Sequence, residues 1–249
     1  MLGTGVHRVR LGQSDTDAAR YDTGAFGFGG NRRGGQGRAR GLAALKAELL
    51  RIATELAGVD APAEPSELGP DGVRVGERLI TLAEIAAAGG GSVSADGSED
   101  GSRRSLAFNV HGFRVAVNSE TGEVRILQSV QTADPGFVMN PQQLRGQIEG
   151  GVAQAIGSAL YEEMILDQGR VTTQVFRSYH LPQLADVPET EVYFAETDDE
   201  VGPFGAKSMS EAPYNPVAAA LANAVRRATG VRPHELPISR DRVWRMLKG

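Results

Sequence analysis

The chain of 249 residues contains no cysteine. That excludes disulfides, thiolate zinc sites, iron–sulfur clusters ligated by this chain and a cysteine nucleophile. A basic excess is missing too. Lys and Arg number 26 against 31 Asp and Glu, for a formal net charge of −5, which argues against nucleic acid as a partner. No apolar run approaches the roughly 18 residues of a membrane helix, and Met1 to Arg10 lacks the apolar stretch of a signal peptide. The expectation is a soluble, cytoplasmic protein with no membrane contact. Several chemistries lack their motif. The four histidines, His7, His111, His180 and His234, never stand at i,i+4 and no HExxH occurs, so they read as structural rather than as zinc ligands. There is no GxSxG elbow for acyl transfer, and Ser208 and Ser210 beside Lys207 do not make SxxK.

What is present is a chain with 41% hydrophobic residues, enough for a sizeable core. Charge is unevenly placed: residues 1–50 hold eight Lys/Arg against four Asp/Glu. Arg32, Arg33, Arg38 and Arg40 in this part read as a solvated helix start or as an anion or partner contact. Seven of the fourteen residues from Gly24 to Gly37 are glycine. Such a stretch lets the backbone approach a ligand closely or simply move. It is neither a GxGxxG fingerprint after a clear strand nor a Walker loop.

Leu42, Leu45, Leu49, Ile52 and Leu56 form one apolar stripe and predict a helix that stops at Gly58. Val73 to Ile80 predicts a short hairpin, and Thr81 with Glu84 predicts a capping box for a helix through Ala88. Gly89 to Ser102, rich in glycine, serine and acids, reads as a flexible surface loop. Phe108 to Val117 and Val124 to Val130 predict a hairpin around Ser119–Gly122. Asn140-Pro141 opens a long helix with Leu144, Ile148, Val152, Ala155, Ile156 and Ala159 inward, and its small residues Gly150, Gly151, Ala153 and Ala155 admit a close neighbour. Val171–Tyr179 and Glu191–Glu196 read as strands. Pro213 and Pro216 precede a helix ending at Gly230, and a last helix covers about Arg240 to Leu247. The fold class is α+β, with helices packed on mostly antiparallel sheet.

One carboxylate stands apart by context. Between Gly202 and Pro216 the only charges are Lys207 and Glu211, in a loop that runs into an apolar helix. A Glu there would lie near the helix N-terminus, partly desolvated. From the pattern alone it is either a helix cap or a candidate base. The run Glu196, Asp198, Asp199 and Glu200 reads as a solvated acidic loop.

Four segments, in order, resemble the molybdenum hydroxylases of the xanthine dehydrogenase and aldehyde oxidase family. GAKSMSEAPYNPVAAALANAV (Gly205–Val225) resembles the family's catalytic loop, Gly-Ala-Lys-Gly-x-Gly-Glu-x-Pro, and the Ala-rich helix after it. RGQIEGGVAQAIGSALYEE (Arg145–Glu163) resembles its Gly-Gln-x-Glu-Gly helix. DPGFVMNP (Asp134–Pro141) resembles the Asp-x-Gly-x-x-x-Asn-Pro lead-in. GQSDTDAARYDTGAFG (Gly12–Gly27) resembles the segment that ends in a cofactor loop. The resemblance implies that the whole chain, 1–249, is the second, C-terminal molybdenum-cofactor-binding domain of the molybdenum subunit.

The resemblance also implies an activity: hydroxylation of an electron-poor carbon of an N-heterocycle or aldehyde, with oxygen from water. Glu211 matches the general base and Lys207 the lysine that orders its loop. Ala25, Phe26, Gly27 and Gly29 match the pterin loop, Gln147 the helix glutamine that contacts the cofactor, and Met209 and Ser210 the lining of the metal. The cofactor implied is molybdenum–molybdopterin, with the motifs leaning towards its cytosine dinucleotide form. Iron–sulfur clusters and FAD would belong to partner subunits. The chain departs from the family at Ser210, where glycine is usual. It is also much shorter: the substrate-channel domain and first cofactor-binding domain are not matched. Two readings follow. The chain is a catalytic part that works with the remaining part of the molybdenum subunit on a small-molecule substrate, or it is a non-catalytic remnant or assembly module that keeps the fold.

Overall fold

The computed structural model describes residues 2–10, 15, 17, 35–59, 66–98 and 105–249. It divides into two compact units, Met1–Arg104 and Ser105–Gly249. Among the described residues no helix is long and apolar enough to cross a membrane.

In the first unit, helix α1 (Gly35–Ala57) stops where Gly58 turns into the left-handed region at φ 71°. Strands β1 (Ser66–Leu68), β2 (Gly72–Val75) and β3 (Arg78–Thr81) form an antiparallel sheet in that order. Helix α2 (Leu82–Ala88) follows, with the Thr81–Glu84 capping box in place. Ile52 and Ala53 of α1 meet Val73, Val75, Ile80 and Ile85 in a small buried cluster. The Gly/Ser-rich segment through residue 98 has no helix or strand, but it is not simply solvated. Val93 packs against the cluster, and a Cβ on Gly97 would sit 2.2 Å from the Gly37 carbonyl oxygen of α1.

The second unit is built on strands β4 (Asn109–Val117), β5 (Val124–Ala133) and β8 (Thr190–Phe194). β4 and β5 pair antiparallel, whereas β5 and β8 run parallel. The odd-numbered residues of β4 point inward and the even-numbered outward, as the strand period requires. Onto the inner face pack α3 (Pro141–Leu160), which contacts β8, and α5 (Val217–Thr229), which contacts β4. Ile148, Val152, Ile156, Val217, Leu221 and Val225 are fully buried between them. Asn140 caps α3 by accepting from the Gln143 amide, with Pro141 at the first position, where no donor is lost. Gly151 is the close-approach residue of α3: a Cβ there would lie 3.2 Å from Pro213 Cβ, whereas one on Gly150 would meet nothing.

One expected strand is corrected. Val171–Tyr179 does not extend as a strand. Leu166–Asp167 (β6) and Arg170–Val171 (β7) form a two-residue hairpin around Gln168 and Gly169, both at positive φ. The chain then closes a single turn, α4 (Phe176–Tyr179), which ends at His180 in the left-handed region. Alternating Val171, Thr173 and Val175 mimic a strand, but β7 finds a partner only in the two residues of β6. The C-terminal helix α6 (Arg240–Lys248) starts at Ser239, whose side chain caps it.

Candidate functional site

Two loops of the second unit are zipped together. The Lys207 amide donates to the Pro135 carbonyl at 2.7 Å, and the Phe137 amide donates to the Gly205 carbonyl at 2.9 Å. Gly136 and Ala206 form an antiparallel bridge between them. The approach needs glycine on both sides. Gly136 (φ +61°) would place a Cβ 2.2 Å from Gly205 O, and Gly205 (φ +82°) would place one 1.7 Å from an Asp198 carboxylate oxygen. Lys207 Nζ donates to Asp134 Oδ2 at 2.7 Å, and each side chain is only 10% exposed. Asp134 also accepts from Thr197 Oγ1. Burial pushes the Asp134 carboxyl up, but the bonds from Lys207, Thr197 and the Phe108 amide outweigh it and hold it below its ordinary value.

The acidic run is therefore not uniform. Glu196, Asp198 and Glu200 are exposed. Asp199 turns inward and accepts from the Val201 and Gly202 amides at 2.7 and 2.8 Å and from Ser105 Oγ. Partial burial raises its pKa, and these three bonds more than reverse the effect. Asp134 and Asp199 organise the loops, and their roles were missed as candidates. The partners of Asp134 lie far away in sequence and leave no local signal, and the local turn that Asp199 makes with the next amides is masked by the acids around it.

Glu211 lies on the turn that follows. Met209 is buried in the core, whereas Ser210 and Glu211 are exposed. The Met209 side chain therefore faces the core, and only its backbone is left to line a site. Gln147 Nε2 donates to the Ser210 carbonyl at 2.8 Å. Gln131 Nε2 donates to the Pro213 carbonyl at 3.1 Å. The Tyr214 amide donates to the Glu211 carbonyl at 3.0 Å. Glu211 thus stands between two carbonyls, each held by a glutamine amide. It is not a helix cap: Pro216 occupies that position of α5 and no side chain caps it. Nor is it desolvated as the position before a buried helix suggested, because the turn from Glu211 to Tyr214 lifts it clear of α5.

Behind the turn is a buried polar row on the inner face of the sheet. His111 Nδ1 lies 3.0 Å from Gln131 Oε1, and His111 Nε2 lies 3.0 Å from Ser129 Oγ. Ser129 Oγ lies 2.9 Å from Thr190 Oγ1. Ser129 and Gln131 are fully buried. The imidazole stacks on Phe113 at 4.0 Å between centroids. Burial lowers the His111 pKa against the upward pull of the Gln131 hydrogen bond, which favours the neutral ring.

The described residues suit a molybdopterin in kind. Gln142, Gln143 and Gln147 expose amides on the N-terminal half of α3, and a Cβ on Gly146 or Gly150 would meet nothing within 4 Å, so that face is open. Amides of this kind can satisfy a pterin by hydrogen bonds. No group of three or more His, Asp or Glu stands ready to ligate a metal among the described residues. Ala25, Phe26, Gly27 and Gly29, expected in the pterin loop, lie outside the described residues.

A family model described as a molybdopterin cofactor-binding domain matches residues 1–188. The chain is 31% identical over 248 residues to the probable hypoxanthine oxidase XdhD of Escherichia coli K12, covering 96% of this chain and 26% of that protein. It is 31% identical over 250 residues to the aldehyde oxidoreductase molybdenum-binding subunit PaoC of the same organism, covering 98% and 33%. Among solved structures, the fold is similar to CO dehydrogenase from Oligotropha carboxidovorans, with TM-score 0.79 and 24% identity over 94% of this chain and 31% of that one. It is also similar to quinoline 2-oxidoreductase from Pseudomonas putida 86, with TM-score 0.70 and 26% identity over 83% and 28%. The chain thus spans about a quarter to a third of the length of these relatives.

Proposed function

We propose, from the premise that this chain belongs to the molybdopterin cofactor-binding family of the molybdenum hydroxylases, that it supplies the general base and part of the cofactor site of such an enzyme, with Glu211 as the base. The observation that carries this reading is the anchored turn: Gln147 and Gln131 hold the carbonyls on either side of an exposed Glu211, beside the open half of α3. A base must be fixed before it can transfer a proton efficiently. When bound, the molybdenum cofactor would supply oxygen transfer from water and take up the two electrons. A carboxylate oxygen of Glu211 would accept the proton released from that water. Lys207 does not face the reaction in this account. It is tied to Asp134 and positions the loop that leads to Glu211.

Gln147, the backbone at Met209 and Ser210, and the segment with Ala25, Phe26, Gly27 and Gly29 would hold the cofactor, in its cytosine dinucleotide form. The substrate would be an aldehyde or N-heterocycle. The chain has no cysteine, so electrons would pass to iron–sulfur clusters and FAD carried elsewhere in a cytoplasmic assembly. The chain would also need the remaining part of the molybdenum subunit. Met164, Ile165, Leu166, Val175, Phe176 and Leu184 are each more than half exposed, and apolar surface of that extent suits an interface. Elemental mass spectrometry on protein purified natively tests this reading. It predicts close to one molybdenum per chain with other subunits co-purifying. A folded chain in its native assembly without molybdenum would favour a non-catalytic remnant or assembly module.

A further inference from the structure

We propose that His111 is a positioning residue for Glu211, acting through the side chain of Gln131 on the carbonyl of Pro213. This inference rests on the reading of Glu211 as the base.

The direction of the chain of hydrogen bonds is fixed by chemistry. The Pro213 carbonyl can only accept, so the Gln131 group 3.1 Å from it is the NH₂. Gln131 Oε1 therefore faces His111 and can only accept, which places the imidazole proton on Nδ1. In the neutral ring Nε2 is then an acceptor, taking the Ser129 hydroxyl proton. Ser129 Oγ in turn accepts from Thr190. Four side chains thus act in one sense, from Thr190 on β8 across β5 and β4 to a backbone oxygen two residues past Glu211. Packing alone does not require this. Apolar residues of the same shape on the inner face would be about as stable. The far end of the row is also confined. Gly151 of α3 lets Pro213 approach closely, a Cβ there lying only 3.2 Å from Pro213 Cβ. The α3 glycine sets how near Pro213 comes, and the Gln131 amide sets which way its carbonyl points. With Gln147 on the Ser210 carbonyl, both flanks of Glu211 are fixed. His111 locks the Gln131 amide against flipping, and Phe113 locks the plane of His111.

Hydrogen exchange of the full chain, read by mass spectrometry over residues 208–216, tests the proposal. Asn at position 111 can place an amide nitrogen where Nδ1 stands and keep the bond to Gln131, whereas Gln reaches only towards the Nε2 side. His111→Gln and Gln131→Met should speed exchange of the Tyr214 amide about three- to tenfold, as expected for one lost hydrogen bond. His111→Asn should leave it near wild type. Ser129→Ala, at the far end, should lower the melting temperature without moving Tyr214 exchange, which separates positioning from stability. In the molybdenum-loaded assembly, His111→Gln should lower kcat with KM and molybdenum content unchanged, and His111→Asn should restore it. The proposal is overturned if His111→Asn and His111→Gln change Tyr214 exchange alike, or if Gln131→Met leaves it unchanged. Glu211→Gln in the same assembly keeps the two ideas apart. Normal turnover there overturns the base reading whatever the exchange data show. Lost turnover with unresponsive exchange overturns the relay alone.

Discussion

Asp134 and Lys207 stand 73 residues apart in sequence, yet their contact closes the loops that lead to Glu211. Both are nearly out of solvent, so removing one partner strands the other. Asp134→Asn should cost on the order of 3 kcal/mol of stability in the second unit. The single tryptophan, Trp244 on α6, reports on that unit by fluorescence during denaturant unfolding. The pH dependence has a definite sign. The folded-state pKa of Asp134 is depressed, so its stabilisation is fully present above the unfolded value of about 4 and is lost as pH falls towards the folded value. The wild-type stability curve should fall on its acid side, and the Asp134→Asn curve should fall less steeply there. At this scale the sequence was only partly legible. Glu211 and Lys207 stood out because they are the only charges in their loop. The partners of Asp134 and Gln131 did not, because each bond depends on how distant segments meet; the Asp199 turn, bonded to amides two and three residues on, was hidden in a run of like charges.

Elements with a strong local signal were legible. The Thr81–Glu84 box and Asn140-Pro141 mark helix starts by side-chain chemistry, and Gly230 marks a helix end by its left-handed backbone; each works within one turn, and the structure places the caps there. The β4–β5 hairpin was legible from its alternation and its turn, although β5 continues to Ala133. The segment Val171–Tyr179 was not, because its alternation lacks the partner that a strand needs. The polar row escaped for a related reason: His111 and Gln131 pair only through strand register, which no local pattern reveals. The α3 stripe supports a direct test. Ile148 is fully buried between α3, the sheet and α5, so Ile148→Ala should cost about 2–5 kcal/mol, read as a shift in the Trp244 unfolding transition.

The whole molecule consists of two compact units, and the second leaves much apolar surface exposed between residues 164 and 184. Phe176 is 77% and Leu184 93% exposed, so replacing both by serine should change the stability of the chain by less than about 0.5 kcal/mol each. The same pair should weaken co-purification with the remaining part of the enzyme if this arm is an interface. Unchanged co-purification would count against that assignment. This scale was legible mainly through the family resemblance, since four motifs in order say more than any one of them.

The most direct test is the turnover of Glu211→Gln in the assembled enzyme at matched molybdenum content. Gln keeps the shape of the side chain and removes its capacity to take a proton. The account predicts a loss of roughly 10²- to 10⁴-fold in kcat with molybdenum retained. Turnover within a few-fold of wild type would contradict it.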